Sequence, residues 1–128
     1  FDHFKQVNDT YGHETGDEAL KAVSRILRSC VREGDYVCRH GGEEFVIVLE
    51  NTTTAEAKKQ IDAVREDLAE RSLVNKENGE PIGRITFSAG VAPFIPGEAN
   101  RQVLRNADAA LYEAKNTGRN QVLIYHGG

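Results

Sequence analysis

Two adjacent glycines, Gly41 and Gly42, stand between two short apolar runs, Tyr36-Val37-Cys38 and Phe45-Val46-Ile47-Val48-Leu49. Glycine reaches turn conformations at little steric cost, so the pattern predicts a tight β-hairpin over residues 36–49. The turn delivers two carboxylates, Glu43 and Glu44, directly after the glycines. A residue without Cβ lets a bulky anion approach the backbone. Hard cations such as Mg²⁺ take carboxylate oxygens and keep substrate phosphates as further ligands. A solvated hairpin tip whose acids serve solubility fits the same few residues.

The chain has 128 residues, enough for one domain, with 39% apolar and 28% charged side chains. That balance belongs to a globular protein and not a disordered one. A net charge of −4 argues against broad binding to DNA or RNA, though it leaves room for a local basic pocket. No apolar run approaches the ~20 residues of a membrane span, and no signal peptide opens the chain. Cys30 and Cys38 lack metal-like spacing and are expected as buried free thiols of a reducing, cytoplasmic setting.

Residues 4–10 read as a short helix and residues 16–31 as a long one, with Leu20, Val23, Leu27 and Val31 as its buried stripe and Gly34 as its stop. After the hairpin, Thr53 and Glu56 form a capping box for a helix that buries Ala57, Ile61, Val64 and Leu68. Asn78-Gly79 marks a turn, Ile85 to Val91 a strand, and Pro93 to Gly97 a loop. Asn100 is expected to cap a last helix whose Val103, Leu104, Ala107, Leu111 and Ala114 face inward and which Gly118 ends. Gln121 to Tyr125 closes the chain as an edge strand. The order α-α-β-β-α-β-α-β implies a mixed α/β (α+β) fold, with helices over the faces of a mixed sheet. A strand before residue 1 would complete a βαββαβ core.

Several segments match one family in order. They are Asp2-His3-Phe4-Lys5, Asn8 to His13, Gly16-Asp17, Arg39 to Phe45, Ser88 to Val91, Ala107 to Tyr112, and Ala114-Lys115 with Gly118-Arg119-Asn120. Together they resemble the GGDEF domain of bacterial diguanylate cyclases over nearly the whole of residues 1–128. The resemblance implies a palm-like central sheet and an enzyme that condenses two GTP into cyclic di-GMP with release of two pyrophosphates.

The resemblance also assigns roles. Glu43 is a ligand for Mg²⁺ or Mn²⁺, Glu44 a second acid for metal binding or for activating the 3′-hydroxyl, and Gly41 and Gly42 let phosphates pass over the turn. Asn8 and Asp17 read guanine, whose N1–H and 2-amino group offer a carboxylate two donors that adenine lacks. As local features alone, they also suit a turn residue and a helix N-terminal acid. Leu20 packs against the base or serves the helix core. Lys115 and Arg119 clamp the outer phosphates, Lys5 and Arg39 assist, and the backbone N–H groups of His3 and Phe4 cap the γ-phosphate. Helix-dipole pairing is the plain alternative for Lys115 and Arg119.

Arg32-Glu33-Gly34-Asp35 matches the family's R-x-x-D product-inhibition motif, with Arg32 and Asp35 as contacts for cyclic di-GMP. The family's second inhibitory arginine is Ala63 here, with Lys59 and Arg65 nearby. The opening at Phe1 lies inside a motif, without the first strand and its metal-binding aspartate, and reads as an excerpt from a longer protein. A sensory or dimerising region upstream, two-fold pairing of domains as a homodimer, and a cytoplasmic site, free or membrane-anchored, are the accompanying expectations. The rival reading is a catalytically weak domain that binds GTP or cyclic di-GMP.

Overall fold

A computed structural model describes residues 1–39, 44–74, 79 and 81–126. In chain order the elements are α1 (Phe4–Tyr11), α2 (His13–Ser29), β1 (Tyr36–Arg39), β2 (Phe45–Val48), α3 (Thr54–Glu70), β3 (Leu73–Val74), β4 (Pro81–Gly83), β5 (Ala89–Val91), α4 (Asn100–Asn116) and β6 (Val122–Ile124). They divide into two compact units, Phe1–Glu50 with Glu66–Thr86 and Asn51–Arg65 with Phe87–Gly128. No helix of the described residues is long and apolar enough to cross a membrane.

In the first unit α1 packs on α2, which buries Ala19, Leu20, Val23 and Leu27 at helical spacing. Full burial of each large aliphatic side chain contributes about 1.5–3 kcal/mol. The helix stops at Ser29, short of the expected residue 31, and Gly34 falls in the turn beyond it. Strands β1 and β2 pair antiparallel, as expected, from Tyr36↔Val48 to Arg39↔Phe45. The expected turn at the glycine pair lies outside the described residues. A second small ladder pairs β3 with β4 around the expected turn at residues 78–79, of which Asn78 lies outside the described residues.

Cys30 and Cys38 are both exposed, against the expectation of buried thiols. Cys30 lies just past the end of α2. Cys38 falls on the same side of β1 as Tyr36, which is 65% exposed, because side chains alternate along a strand.

In the second unit β5, α4 and β6 form a parallel strand–helix–strand arrangement with Ala89↔Val122, Gly90↔Leu123 and Val91↔Ile124 in register. The capping box at α3 is present: the Thr53 hydroxyl accepts from the Glu56 N–H at 3.1 Å and donates to the Glu56 carboxylate at 3.0 Å. Ala57, Ile61 and Val64 of this unit are buried, as the periodicity predicts, and so is Leu68, which belongs to the first unit. Helix α4 differs from its sequence reading. Ala99, not Asn100, occupies the cap position; of the expected inward residues Ala114 is buried and Val103, Ala107 and Leu111 are half-buried, while Leu104 is 44% exposed and Asn106 and Ala110 are buried instead. The small side chains are selected because β5 lies against the helix backbone at Gly90.

The α+β class holds, but the described strands form three two-stranded ladders and not one continuous sheet. The expected strand 85–91 is ladder-paired only from Ala89. Thr86 bonds elsewhere: its carbonyl accepts from the Asp2 N–H at 2.8 Å and its hydroxyl donates to the Asp2 carboxylate at 2.9 Å.

Candidate functional site

The corner where α1 meets α2 gathers the residues expected to read a base. Gly16 lies in the first turn and a half of α2 and is buried, leaving room for the Asn8 side chain from α1. A methyl group at Gly16 would fall on the Asn8 carboxamide. The Asn8 Oδ1 is buried there and accepts no hydrogen bond among the described residues. Such an orphan acceptor costs about 1–3 kcal/mol. Asp17 follows Gly16 and is exposed, while Leu20, one turn on, is 2% exposed and serves the α2 core.

At the start of α1, His3 is the cap in a left-handed conformation (φ 58°), and its carbonyl accepts from the N–H groups of Gln6 and Val7. The Phe4 ring meets Phe1 edge-on at 5.0 Å, and Lys5 is exposed. A cavity of about 270 Å³ beside this helix is lined by residues that include His3, Gln6, Tyr11, Arg84 and Thr86, and excludes Asn8 and Asp17.

Gly41, Gly42 and Glu43 lie outside the described residues. Arg39 ends β1 opposite Phe45, and Glu44 precedes β2 and is exposed. Asp2 is 4% exposed and turned to Thr86, a structural use of its carboxylate. Among the described residues no three His, Cys, Asp or Glu side chains converge on a point that could hold a metal ion.

Lys115 and Arg119 belong to the second unit. Lys115 lies in the last turn of α4 and is half-buried. Beyond the helix, the Arg119 N–H bonds to the Ala114 carbonyl at 2.9 Å across Gly118 (φ 122°), a Schellman-type ending.

The R-x-x-D segment is a closed internal device. The two oxygens of Asp35 accept from the backbone N–H groups of Arg32 (2.9 Å) and Glu50 (2.8 Å), and the Arg32 guanidinium donates to the Glu50 carbonyl at 3.3 Å. The Asp35 side chain is 2% exposed and that of Arg32 61%. The Arg32 N–H first, then the Glu50 N–H, hold the Asp35 carboxyl below its ordinary value against a smaller upward push from burial. A depressed folded-state pKa means that the unfolded chain binds the proton more readily. The contribution is complete above the ordinary carboxylate pKa and is lost as pH falls through the folded value. Asp35→Asn keeps one acceptor oxygen of two. It is expected to lower the urea midpoint at neutral pH and to flatten the loss of stability as pH falls below the ordinary carboxylate range. Parallel curves for variant and parent would exclude this linkage.

Sequence reasoning missed a polar network in the second unit. Asp62 accepts from Lys58 Nζ and from Arg65 Nε, each at 2.9 Å; Lys58 also bonds the Val122 carbonyl at 2.9 Å, and Arg65 bonds the Asn120 carboxamide oxygen at 2.9 Å. Partial burial pushes the Asp62 carboxyl up, but its bonds to Lys58 and Arg65 outweigh that and hold it below the ordinary value. The helical spacing of Lys58, Asp62 and Arg65 was a readable signal. Ala63 and Lys59 are both exposed.

Comparison with known proteins follows the same residues. The family model "Diguanylate cyclase, GGDEF domain" matches residues 1–121. Diguanylate cyclase A of Treponema denticola is 40% identical over 124 residues, covering 96% of this chain and 33% of that protein. Diguanylate cyclase DgcM of Escherichia coli is 45% identical over 122 residues, covering 95% of this chain and 28% of that protein. The chain thus spans about a third of the length of the curated relatives it matches. The crystal structure of the GGDEF domain of DgcB from Caulobacter crescentus, in complex with c-di-GMP, superposes with a TM-score of 0.92 at 35% identity, covering 98% of this chain and 74% of that one. The chain belongs to the GGDEF domain family of diguanylate cyclases.

Proposed function

We propose that the protein carrying this chain is a diguanylate cyclase that joins two GTP into cyclic di-GMP. The observation that carries the reading is the corner of α1 and α2, where the Asn8 amide oxygen, without a partner among the described residues, packs over Gly16, the residue before the exposed Asp17. Guanine offers donors that suit both. In each half-reaction a 3′-hydroxyl oxygen attacks the α-phosphorus of the other GTP. A new P–O bond forms, the α–β bridging P–O bond breaks, and pyrophosphate leaves. Glu44 is the candidate acceptor of the hydroxyl proton. Glu43 would hold a divalent cation, proposed as Mg²⁺ or Mn²⁺, which when bound offsets the phosphate charge. Lys5, Arg39, Lys115 and Arg119 are the proposed phosphate cations. His3 and Phe4 are the proposed backbone donors. Gly41 and Gly42 give the phosphates access to the turn.

The symmetry of the product makes a two-fold homodimer of domains the natural arrangement. A GTP-consuming second-messenger enzyme of this kind works in the cytoplasm, under an upstream sensory or dimerising region. Arg32, exposed beside the internally engaged Asp35, is the proposed contact for inhibitory cyclic di-GMP.

The direct test is incubation of the full-length protein with GTP and a divalent cation, followed by mass identification of the product. Cyclic di-GMP with pyrophosphate supports the reading. Binding of GTP without product would make the domain a nucleotide-binding module. A second expectation concerns the base. Asp17→Ser removes the acceptor for the guanine donor pair and is expected to narrow the preference for GTP over ATP by about 100-fold or more in competition kinetics. An unchanged preference would remove Asp17 from base reading.

A further inference from the structure

Gly118, Arg119 and Asn120 all have positive φ, at 122°, 63° and 45°. Two of the three are not glycine. A left-handed conformation at such residues costs on the order of 1 kcal/mol each and persists where surrounding contacts fix it. The contacts here are specific. The Arg119 N–H is tied back to Ala114, and the Asn120 carboxamide oxygen accepts from Arg65 of α3. Arg65 is in turn held by Asp62, its side chain only 16% exposed, and Asp62 is braced by Lys58. A planar guanidinium with one edge on a carboxylate and another nitrogen on an amide oxygen has little rotational freedom left. Arg119, the candidate phosphate cation, is thus anchored through its own N–H to Ala114 and is followed directly by Asn120, whose side chain is held by Arg65.

We propose that Arg65, oriented by Asp62 and bonded to Asn120, is a positioning residue that holds the left-handed turn 118–120 in the one conformation from which Arg119 reaches a nucleotide triphosphate. This rests on the reading of Arg119 as a phosphate cation given above. It gives Arg65 a task different from that of the family's second inhibitory arginine, whose position is occupied by Ala63 here. Arg65 touches no substrate in this account. Its effect passes through the backbone of Asn120.

The test uses the full-length protein and titrates GMP and a guanosine triphosphate whose α–β bridging oxygen is replaced by methylene, so that no turnover occurs. Arg119→Ala is expected to weaken triphosphate binding about tenfold, the scale of one charge-assisted hydrogen bond, with GMP little changed. Arg65→Ala is expected to weaken triphosphate binding about fivefold, again sparing GMP, and to add nothing in the Arg119→Ala background. Asn120→Ala should reproduce the loss if Arg65→Ala does not fold. Asn120→Asp, which keeps an acceptor for Arg65, should restore it. Equal weakening of GMP and triphosphate, additivity with Arg119→Ala, or parent-like binding by both Arg65→Ala and Asn120→Ala would overturn the proposal while leaving Arg119 in place. Parent-like binding by Arg119→Ala would overturn the phosphate reading, and the proposal with it.

Discussion

Gly90→Ala is expected to abolish or severely weaken cooperative folding of the second unit. A Cβ at Gly90 would fall on the carbonyl oxygen of Ala107 and the amide nitrogen of Leu111, and within 3.0 Å of the Ala110 carbonyl carbon. These are backbone atoms of α4, so no side-chain rotation can relieve the overlap. Strand β5 is also fixed from its other neighbour, since Gly90 is in register with Leu123 of β6. The added methyl must therefore push the helix off the strand and open the packing around Ala110 and Ala114, which are 2% and 0% exposed. Overpacking of this kind costs about 3 kcal/mol or more. Against the 5–15 kcal/mol typical of a whole domain, that is a large share. Thermal melts followed by circular dichroism should show a midpoint lower by about 10 °C or more, or no cooperative transition. A midpoint within about 3 °C of the parent would mean that β5 and α4 can separate without loss.

The same contact explains why part of the fold was legible in the sequence and part was not. Helical stripes are local. Leu20, Val23 and Leu27, or Ala57, Ile61 and Val64, announce a buried face by spacing alone, and those residues are buried. The capping box at Thr53 and Glu56 is local too, and is present. Which stripe of α4 turns inward is not local. Ala114 is buried as the periodicity predicts, but Leu104 loses to Ala110, because a glycine strand that approaches the helix backbone admits only small side chains. The strand expected over 85–91 fails for a related reason. Ile85 and Phe87 are buried, as their composition suggests, but ladder membership depends on where the backbone bonds go, and Thr86 bonds Asp2.

The site divides in the same way. Asn8, Gly16 and Asp17 stand out through their motifs, and the corner of α1 and α2 sets the Asn8 side chain against Gly16. The motif also names Asp35, but its engagement with Glu50 depends on a partner 15 residues away. Arg65 and Asn120 are 55 residues apart, and nothing in either segment points to the other.

Glu43→Ala is expected to reduce turnover on the order of 1,000-fold or more while leaving the fold unchanged. In the function proposed above this carboxylate holds the divalent cation that offsets phosphate charge, and a neutral methyl group cannot replace it. The neighbouring carboxylates offer no substitute of equal standing. Asp2 is 4% exposed and accepts from the Thr86 hydroxyl, and no other cluster of three potential metal ligands occurs among the described residues. The loss should be confined to chemistry and metal affinity. The residue follows Gly42 in sequence and the buried stripes of α2 and α3 are built from other residues, so the melting midpoint is expected to move by less than about 2 °C. Glu43→Asp, which keeps the charge on a shorter stem, should recover part of the activity at raised cation concentration, and Glu43→Gln should not. Rates of cyclic di-GMP formation across a titration of Mg²⁺ and of Mn²⁺ would separate these outcomes. Parent-like turnover by Glu43→Ala at limiting cation would remove Glu43 from the metal site and transfer that role to Glu44.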